Sequence, residues 1–202
     1  SHRLEQSAGT LVLIGPWNIG HHPDMPFLDL VRKRQSERRY SDRPVPRETM
    51  ERCLEAARLA PSACNSQPWT FMVVEGELKN RLAEAAFSGI YSMNSFAARA
   101  PVLIIVITER SRYAARLGGQ IRGVQYSLID IGISCEHLIL QAAEEGIGTC
   151  WLGWFNEKGV KQSLGLSRSA RIDIIISMGY PESELHRDKN RKAADDVRQF
   201  IS

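Results

Sequence analysis

Apolar positions recur at helical spacing early in the chain, close into short unbroken runs in its middle, and return to helical spacing before the last runs. Phe27, Leu28, Leu30 and Val31 form one apolar face. With Asp24 as cap and Pro26 in the first turn, they predict a helix ending near Gln35. A second helix starts near Pro46, carries Met50, Cys53, Leu54 and Ala57 on one side, and is stopped by Pro61. Thr70–Val74 reads as a strand and Leu78–Phe87 as an amphipathic helix. Ser88–Arg99 is less regular, and Pro101 precedes a buried strand, Val102–Thr108. Arg110–Gly119 is polar, ends in a Gly-Gly pair and is expected to be mobile.

A long helix is expected from about Ile121 to Glu145, ended by Gly146. Val124, Leu128, Ile131, Ile133, Leu138, Leu140 and Ala142 make it apolar around much of its circumference, so a second subunit is expected to supply part of its burial. Gly148–Leu152 reads as a strand, Asn156 caps a short helix ending at Gly165, and Arg171–Ser177 is a strand closed by the turn Gly179-Tyr-Pro181. The tail from Glu182 is polar until Val197, Phe200 and Ile201. Four strands, several helices and one long central helix imply an α+β architecture. Regular βαβ alternation and a G-x-G-x-x-G turn are both missing, which argues against a dinucleotide-binding Rossmann fold.

The 202 residues suit one domain with an arm. Ser1–Asp24 reads as an N-terminal arm or a leader foreign to the natural chain, with Met25 as the natural start and residues 25–202 as the folded domain. It lacks the pattern of a secretory signal. The longest apolar runs are of strand length, so no membrane span is expected. A net charge of +3 is too small to argue for nucleic acid. The charge is local, in Arg32–Arg43 and Arg187–Lys192; each alone would read as a solvated face, but together they point to one shared anionic ligand. The four cysteines form no C-x-x-C pair and have no histidine at ligand spacing, so neither a metal site nor a disulfide framework is expected, and a reducing cytoplasm fits.

Two stretches carry the chemistry. Arg34-Gln-Ser-Glu-Arg-Arg-Tyr40 offers guanidinium groups and a hydroxyl, the groups a phosphate needs. Ala60-Pro-Ser-Ala-Cys-Asn-Ser-Gln-Pro-Trp69 offers small residues, amides and two prolines, suited to a rigid loop that presses its backbone on a flat polar ring. A phosphorylated aromatic cofactor fits both, and flavin mononucleotide (FMN) fits best.

From Pro26 to Phe200 the chain resembles the nitroreductase family of flavin enzymes. Four landmarks stand in the family's order: the R-x-S-x-R run (Arg34, Ser36, Arg38), the P-S-x-x-N-S-Q-P-W loop (Pro61–Trp69), the G-I-G-T-C-W-L-G segment (Gly146–Gly153), and G-Y-P (Gly179–Pro181) followed by K-x-R (Lys189, Arg191). The resemblance implies a mixed sheet flanked by helices. It also implies a homodimer with its long helix at the interface, FMN bound between subunits, and electrons from NADH or NADPH passed by a ping-pong route to a small acceptor such as a nitroaromatic or quinone. By the same resemblance, Arg34, Gln35, Ser36, Arg38, Lys189 and Arg191 hold the phosphate and ribityl chain. Pro61, Ser62, Ala63, Asn65 and Gln67 approach the flavin from the partner subunit, Asn94 helps hold the ring, and Trp151, Leu152, Gly153 and Trp154 lie at its reactive edge.

Gln35 stands where the family often has a basic residue, Cys64 where glycine is common, and Trp154 where a smaller residue is frequent. Trp154 reads equally as pocket wall or dimer contact. Cys64 reads as a space-filler before a redox thiol, His137 as a packed or interfacial residue before a catalytic one, and Asp130 as a loop cap or arginine partner before a buried base. No catalytic acid or base is assigned, because flavin carries the hydride chemistry. Reductive dehalogenation, flavin fragmentation and a non-enzymatic anion-binding module stay open as alternatives.

Overall fold

A computed structural model describes residues 26–109, 124–183 and 186–201. The expectations for Ser1–Asp24, the Asp24 cap, Met25, the Arg110–Gln120 segment and the Ile121 helix start lie outside those residues. Among the described residues, five α-helices and four strands follow one another as α1 (Pro26–Lys33), α2 (Arg47–Arg58), β1 (Trp69–Glu75), α3 (Gly76–Phe87), β2 (Val102–Thr108), α4 (Tyr126–Glu144), β3 (Gly148–Leu152), α5 (Glu157–Ser163) and β4 (Arg171–Gly179). Residues 89–99, expected to be irregular, wind as a 3₁₀ segment.

The sheet order is β1-β2-β4-β3, and every neighbouring pair is antiparallel. The parallel element of the expected mixed sheet is a single bridge, Ser36 with Thr149. One sheet face packs Val102, Ile104, Val106, Ile176 and Met178 against α2 and α4 (Met50, Cys53, Ala57, Ile131, Cys135, Leu138). The other packs Leu103, Ile105 and Ile175 against Leu82, Ala86 and Phe87 of α3 and Val160 of α5. Alternate residues of β2 thus serve opposite cores, as side chains of period two require when both sheet faces are covered. Burial pushes the Cys53 and Cys135 thiols up to about 12, so both stay neutral packing residues.

Boundaries differ in places. α4 begins at Tyr126 because Gln125 has non-helical backbone (φ −90°, ψ 80°). α2 ends at Arg58, before the expected stop at Pro61. β4 runs on to Gly179, and Tyr180–Pro181 pairs with the chain near Tyr40 instead of closing a free turn: Ser41 N–H donates to Tyr180 O at 3.0 Å. The expected helix ends hold. Gly146 has φ 73°, with Ile147 N–H donating to Ala142 O at 2.8 Å and Gly146 N–H to Ala143 O at 3.2 Å, a Schellman cap. Asn156 Oδ1 accepts from Gly159 N–H at the start of α5.

Candidate functional site

Residues 34–40 leave α1 and run along the end of β3, where Glu37 N–H donates to Thr149 O at 2.8 Å. Extended backbone sends alternate side chains to opposite sides. Ser36 and Arg38 therefore share one face, and Gln35 and Glu37 the other. Glu37, an acid inside a basic run, is buried, and its Oε1 accepts the backbone N–H groups of Arg38 (2.8 Å) and Arg39 (2.9 Å). Tyr40, fully buried, donates its hydroxyl to Glu37 O at 2.8 Å and lies 2.8 Å from Ser177 Oγ. The run is thus braced from beneath, with the Arg38 guanidinium 5.8 Å from the centre of the Phe96 ring.

The second basic cluster comes to the same place. Lys189 donates to Val31 O at the end of α1. Burial lowers its ammonium below the usual lysine range, and the nearby charges of Arg34 and Arg191 lower it further against the opposing pull of Glu136. Burial raises the Glu136 carboxyl, while Arg34, His137 and Lys189 act in the other direction. Arg34 and Arg191 both repel the Lys189 ammonium, and Glu136 offsets that repulsion only in part. Arg187 donates from its guanidinium to Ser36 O, and its backbone N–H donates to Gln35 Oε1 at 3.1 Å. Arg38, Ser36 and Arg187 surround Cys150, whose thiol burial raises and these groups lower. Beside this cluster a cavity of about 780 Å³ is lined by Lys33, Arg34, Gln35, Arg43, Tyr180 and His186 among others.

The Pro61–Gln67 loop sits apart, against α4. Asp130, buried in α4, accepts Ala63 N–H at 3.0 Å and Ser66 Oγ–H at 3.4 Å. Cys64, Asn65 and Gln67 all adopt left-handed backbone, at φ 52°, 53° and 44°. Ser62 Oγ accepts Gln67 N–H at 3.0 Å, and the Gln67 amide bonds Asn65 at 3.1 Å. Further along the α4 stripe, Ser134 Oγ donates to Ala57 O at 2.8 Å and His137 Nδ1 lies 3.3 Å from Ala56 O. Asp130 is a loop cap and His137 packs against α2, each within the roles expected of it.

At the end of β3, Leu152 is buried, Trp151 is half-buried against the core, and Gly153 and Trp154 are exposed. Asn94 Nδ2 donates to Trp154 O at 2.8 Å. Trp154 Nε1 donates in turn to Ile90 O at 3.1 Å. The expected site residues therefore form three groups: the cations with Gln35 and Ser36, the α4-anchored loop, and the β3 end with Asn94. Glu37, Glu136 and Arg187 join them without having been singled out in the sequence. Arg187 lies within the second basic cluster, and Glu37 is the one acid of the Arg34–Tyr40 run. Nothing in the pattern around Glu136 marks it.

The chemistry of this donor set fits a phosphorylated cofactor. A converging group of arginines and a lysine of lowered proton affinity suits a near-dianionic phosphate, which forms charge-assisted hydrogen bonds of roughly 1.5–3 kcal/mol each.

A sequence model of the nitroreductase family matches residues 31–94 and 91–180. A relative from Thermus thermophilus named NADH dehydrogenase is 30% identical over 190 residues, covering 79% of this chain and 90% of its own length. An iodotyrosine deiodinase from Thermotoga neapolitana is 26% identical over 178 residues, covering 76% of this chain and 88% of its own. Among solved structures, a nitroreductase family protein from Streptococcus pneumoniae superposes with a TM-score of 0.70 at 27% identity, over 87% of this chain and all of that one.

Proposed function

The chain belongs to the nitroreductase family of oxidoreductases, and from that premise we propose that it binds FMN between two subunits, takes hydride from NADH or NADPH, and reduces a small electrophilic acceptor such as a nitroaromatic or quinone by a ping-pong route. FMN binding is typical of the family. The observation that carries the reading is the closeness of Arg34 and Arg191 to Lys189, a repulsion that Glu136 offsets only in part and that a bound anion would relieve further.

In this reading Arg34, Ser36, Arg38, Lys189 and Arg191 hold the phosphate and ribityl chain, while Gln35, on the opposite face of the run, supports them through its bond to the Arg187 N–H. The bound flavin supplies the ring that accepts hydride and passes two electrons on. Asn94 fixes the Gly153–Trp154 backbone through its bond to Trp154 O, so that a Gly153 N–H can be offered to the ring's reactive edge. The Pro61–Gln67 loop, preformed on Asp130, reaches the ring bound to the partner subunit. A homodimer is supported by the apolar surface left on α1 and α4. Phe27, Leu28 and Val31 of α1 and Tyr126, Leu128 and Ile129 of α4 are all exposed, and α1 buries none of its residues within the chain.

The test is an absorbance spectrum of the purified protein followed by anaerobic titration with NADH and NADPH. A flavin band that bleaches on titration, and returns on adding a nitroaromatic or quinone, supports the reading. A protein that takes up no FMN from excess sinks it. The deiodinase relative favours a second reading, reductive dehalogenation, in which a carbon–halogen bond breaks, a carbon–hydrogen bond forms and halide leaves, with two electrons from NAD(P)H. Halide release from an iodophenol in the same assay distinguishes the two.

A further inference from the structure

Trp154 holds an exposed apolar ledge at the end of β3. Its side chain is fixed without being buried: the indole N–H is spent on Ile90 O at 3.1 Å, and its own carbonyl takes the Asn94 amide at 2.8 Å. These two bonds run in opposite directions between the β3 end and the 89–99 segment, so neither piece swings alone. Lys79, a buried residue of α3, pins the far end of that segment by donating to Ala98 O at 2.7 Å. The Tyr91 ring lies 5.3 Å from the Trp154 ring, tilted by 49°. Despite these ties Trp154 remains 52% exposed, and in the segment bonded to it Ile90 and Met93, next to Asn94 in sequence, are 75% and 79% exposed.

With the indole N–H and the Asn94 amide already bonded, the ledge has chiefly ring faces, a thioether and an aliphatic chain to offer. Such a surface binds flat conjugated rings by stacking and dispersion, and gives little to a charged or zwitterionic group that must leave water. The ledge adjoins Gly153 and Asn94, which places it beside the reactive edge in the reading above.

We propose that the Trp154 ledge selects the electron acceptor, favouring planar, uncharged, fused-ring compounds over compact ones. This rests on the flavin reading, and the test separates the two. Two quinones serve as probes: para-benzoquinone and its benzo-fused homologue naphthoquinone, alike in charge and chemistry but different in ring area. They are assayed with the FMN-loaded wild type and with Trp154→Ala, Trp154→Phe and Met93→Ala, each rate being taken per bound flavin. Naphthoquinone binding to the oxidised holoenzyme is also measured without reductant.

The expected result is that Trp154→Ala lowers the naphthoquinone-to-benzoquinone ratio of kcat/KM about tenfold, through KM, and weakens naphthoquinone binding by a similar factor. Trp154→Phe retains most of the preference, and Met93→Ala loses a smaller part. A ratio unchanged within about twofold, or both quinones losing equally, overturns the proposal. So does a Trp154→Ala protein that becomes monomeric while keeping its ratio, which would make the ledge a subunit contact. A wild type that never binds FMN fails earlier, at the flavin reading itself, and takes the ledge with it.

Discussion

The carboxylate of Asp130 accepts the backbone N–H of Ala63 at 3.0 Å and so joins the middle of the long helix to the loop after α2. The loop needs an anchor. Three non-glycine residues within four positions hold left-handed backbone, each costing on the order of 1–2 kcal/mol. Asp130→Ala removes a buried acceptor and leaves the Ala63 N–H unpaired, an expected loss of about 1–3 kcal/mol. At this chain length that lowers the melting temperature by roughly 2–4 °C per kcal/mol. Asp130→Asn keeps an acceptor oxygen and should recover more than half the loss. Thermal and urea unfolding check both. An Asp130→Ala protein as stable as wild type removes the anchor from the account.

Lys189 gives a prediction in pH. Burial and the charges of Arg34 and Arg191 hold its proton affinity below the lysine reference of 10.5. The unfolded chain then binds this proton more tightly than the folded apoprotein, so apoprotein stability rises with pH through the depressed range. FMN affinity moves the other way, because the phosphate loses a cation as Lys189 deprotonates. At the acid end the phosphate dianion takes up a proton near pH ~6 and binding weakens again. Lys189→Arg, charged throughout, should abolish the alkaline limb of FMN affinity while keeping the acid one. Arg34→Ala should weaken FMN binding about tenfold to hundredfold at neutral pH and purify largely colourless. Flavin fluorescence titrations across pH read all of these.

Much of this site was legible because its chemistry repeats in types and spacing. The cations stand in two visible clusters, and small, amide-bearing residues mark the loop between two prolines. Helix ends were legible wherever one residue decides them, as Gly146 and Asn156 do. What the sequence hid was tertiary. Glu37 looks like one more charge in a solvated run, yet it turns beneath the strand to cap two N–H groups. Glu136 lies on the long helix with no local sign that Arg34 and Lys189 come near it. Tyr180 and Pro181 read as a turn, and only the return of the chain at Tyr40 makes them a pairing edge.

Cys64 offers a test of strain with a stabilising sign. Its φ of 52° suits glycine, and its side chain is exposed. Cys64→Gly should raise stability by about 1 kcal/mol, the relieved left-handed penalty less the added freedom of the unfolded chain. Cys64→Val should lower it by at least as much, since a β-branched residue tolerates this backbone least. Opposite shifts in urea midpoint at constant slope are the expected signature. Equal shifts in one direction would count against strain at this position.

Gly148 and Gly179 face each other in the β3–β4 register, and each leaves room for a neighbour. A Cβ on Gly148 would lie 2.8 Å from Glu37 Cβ and Cγ and 3.3 Å from Gly179 O. The first contact cannot relax by rotating a side-chain tip, because Glu37 Cβ moves only with its backbone, which is bonded to Thr149 O. Gly148→Ala must therefore push the 34–40 strand away from β3. Overpacking of this kind costs about 1–3 kcal/mol, and here it also unseats the brace under Arg38 and Arg39. The variant should fold, melt several degrees lower by the size scaling above, and lose FMN affinity at least as much as Arg34→Ala does, because the whole phosphate-facing strand moves. A Gly148→Ala protein with reduced stability but unchanged FMN affinity would show that strand position and cofactor grip are independent, and would detach Glu37 from the site.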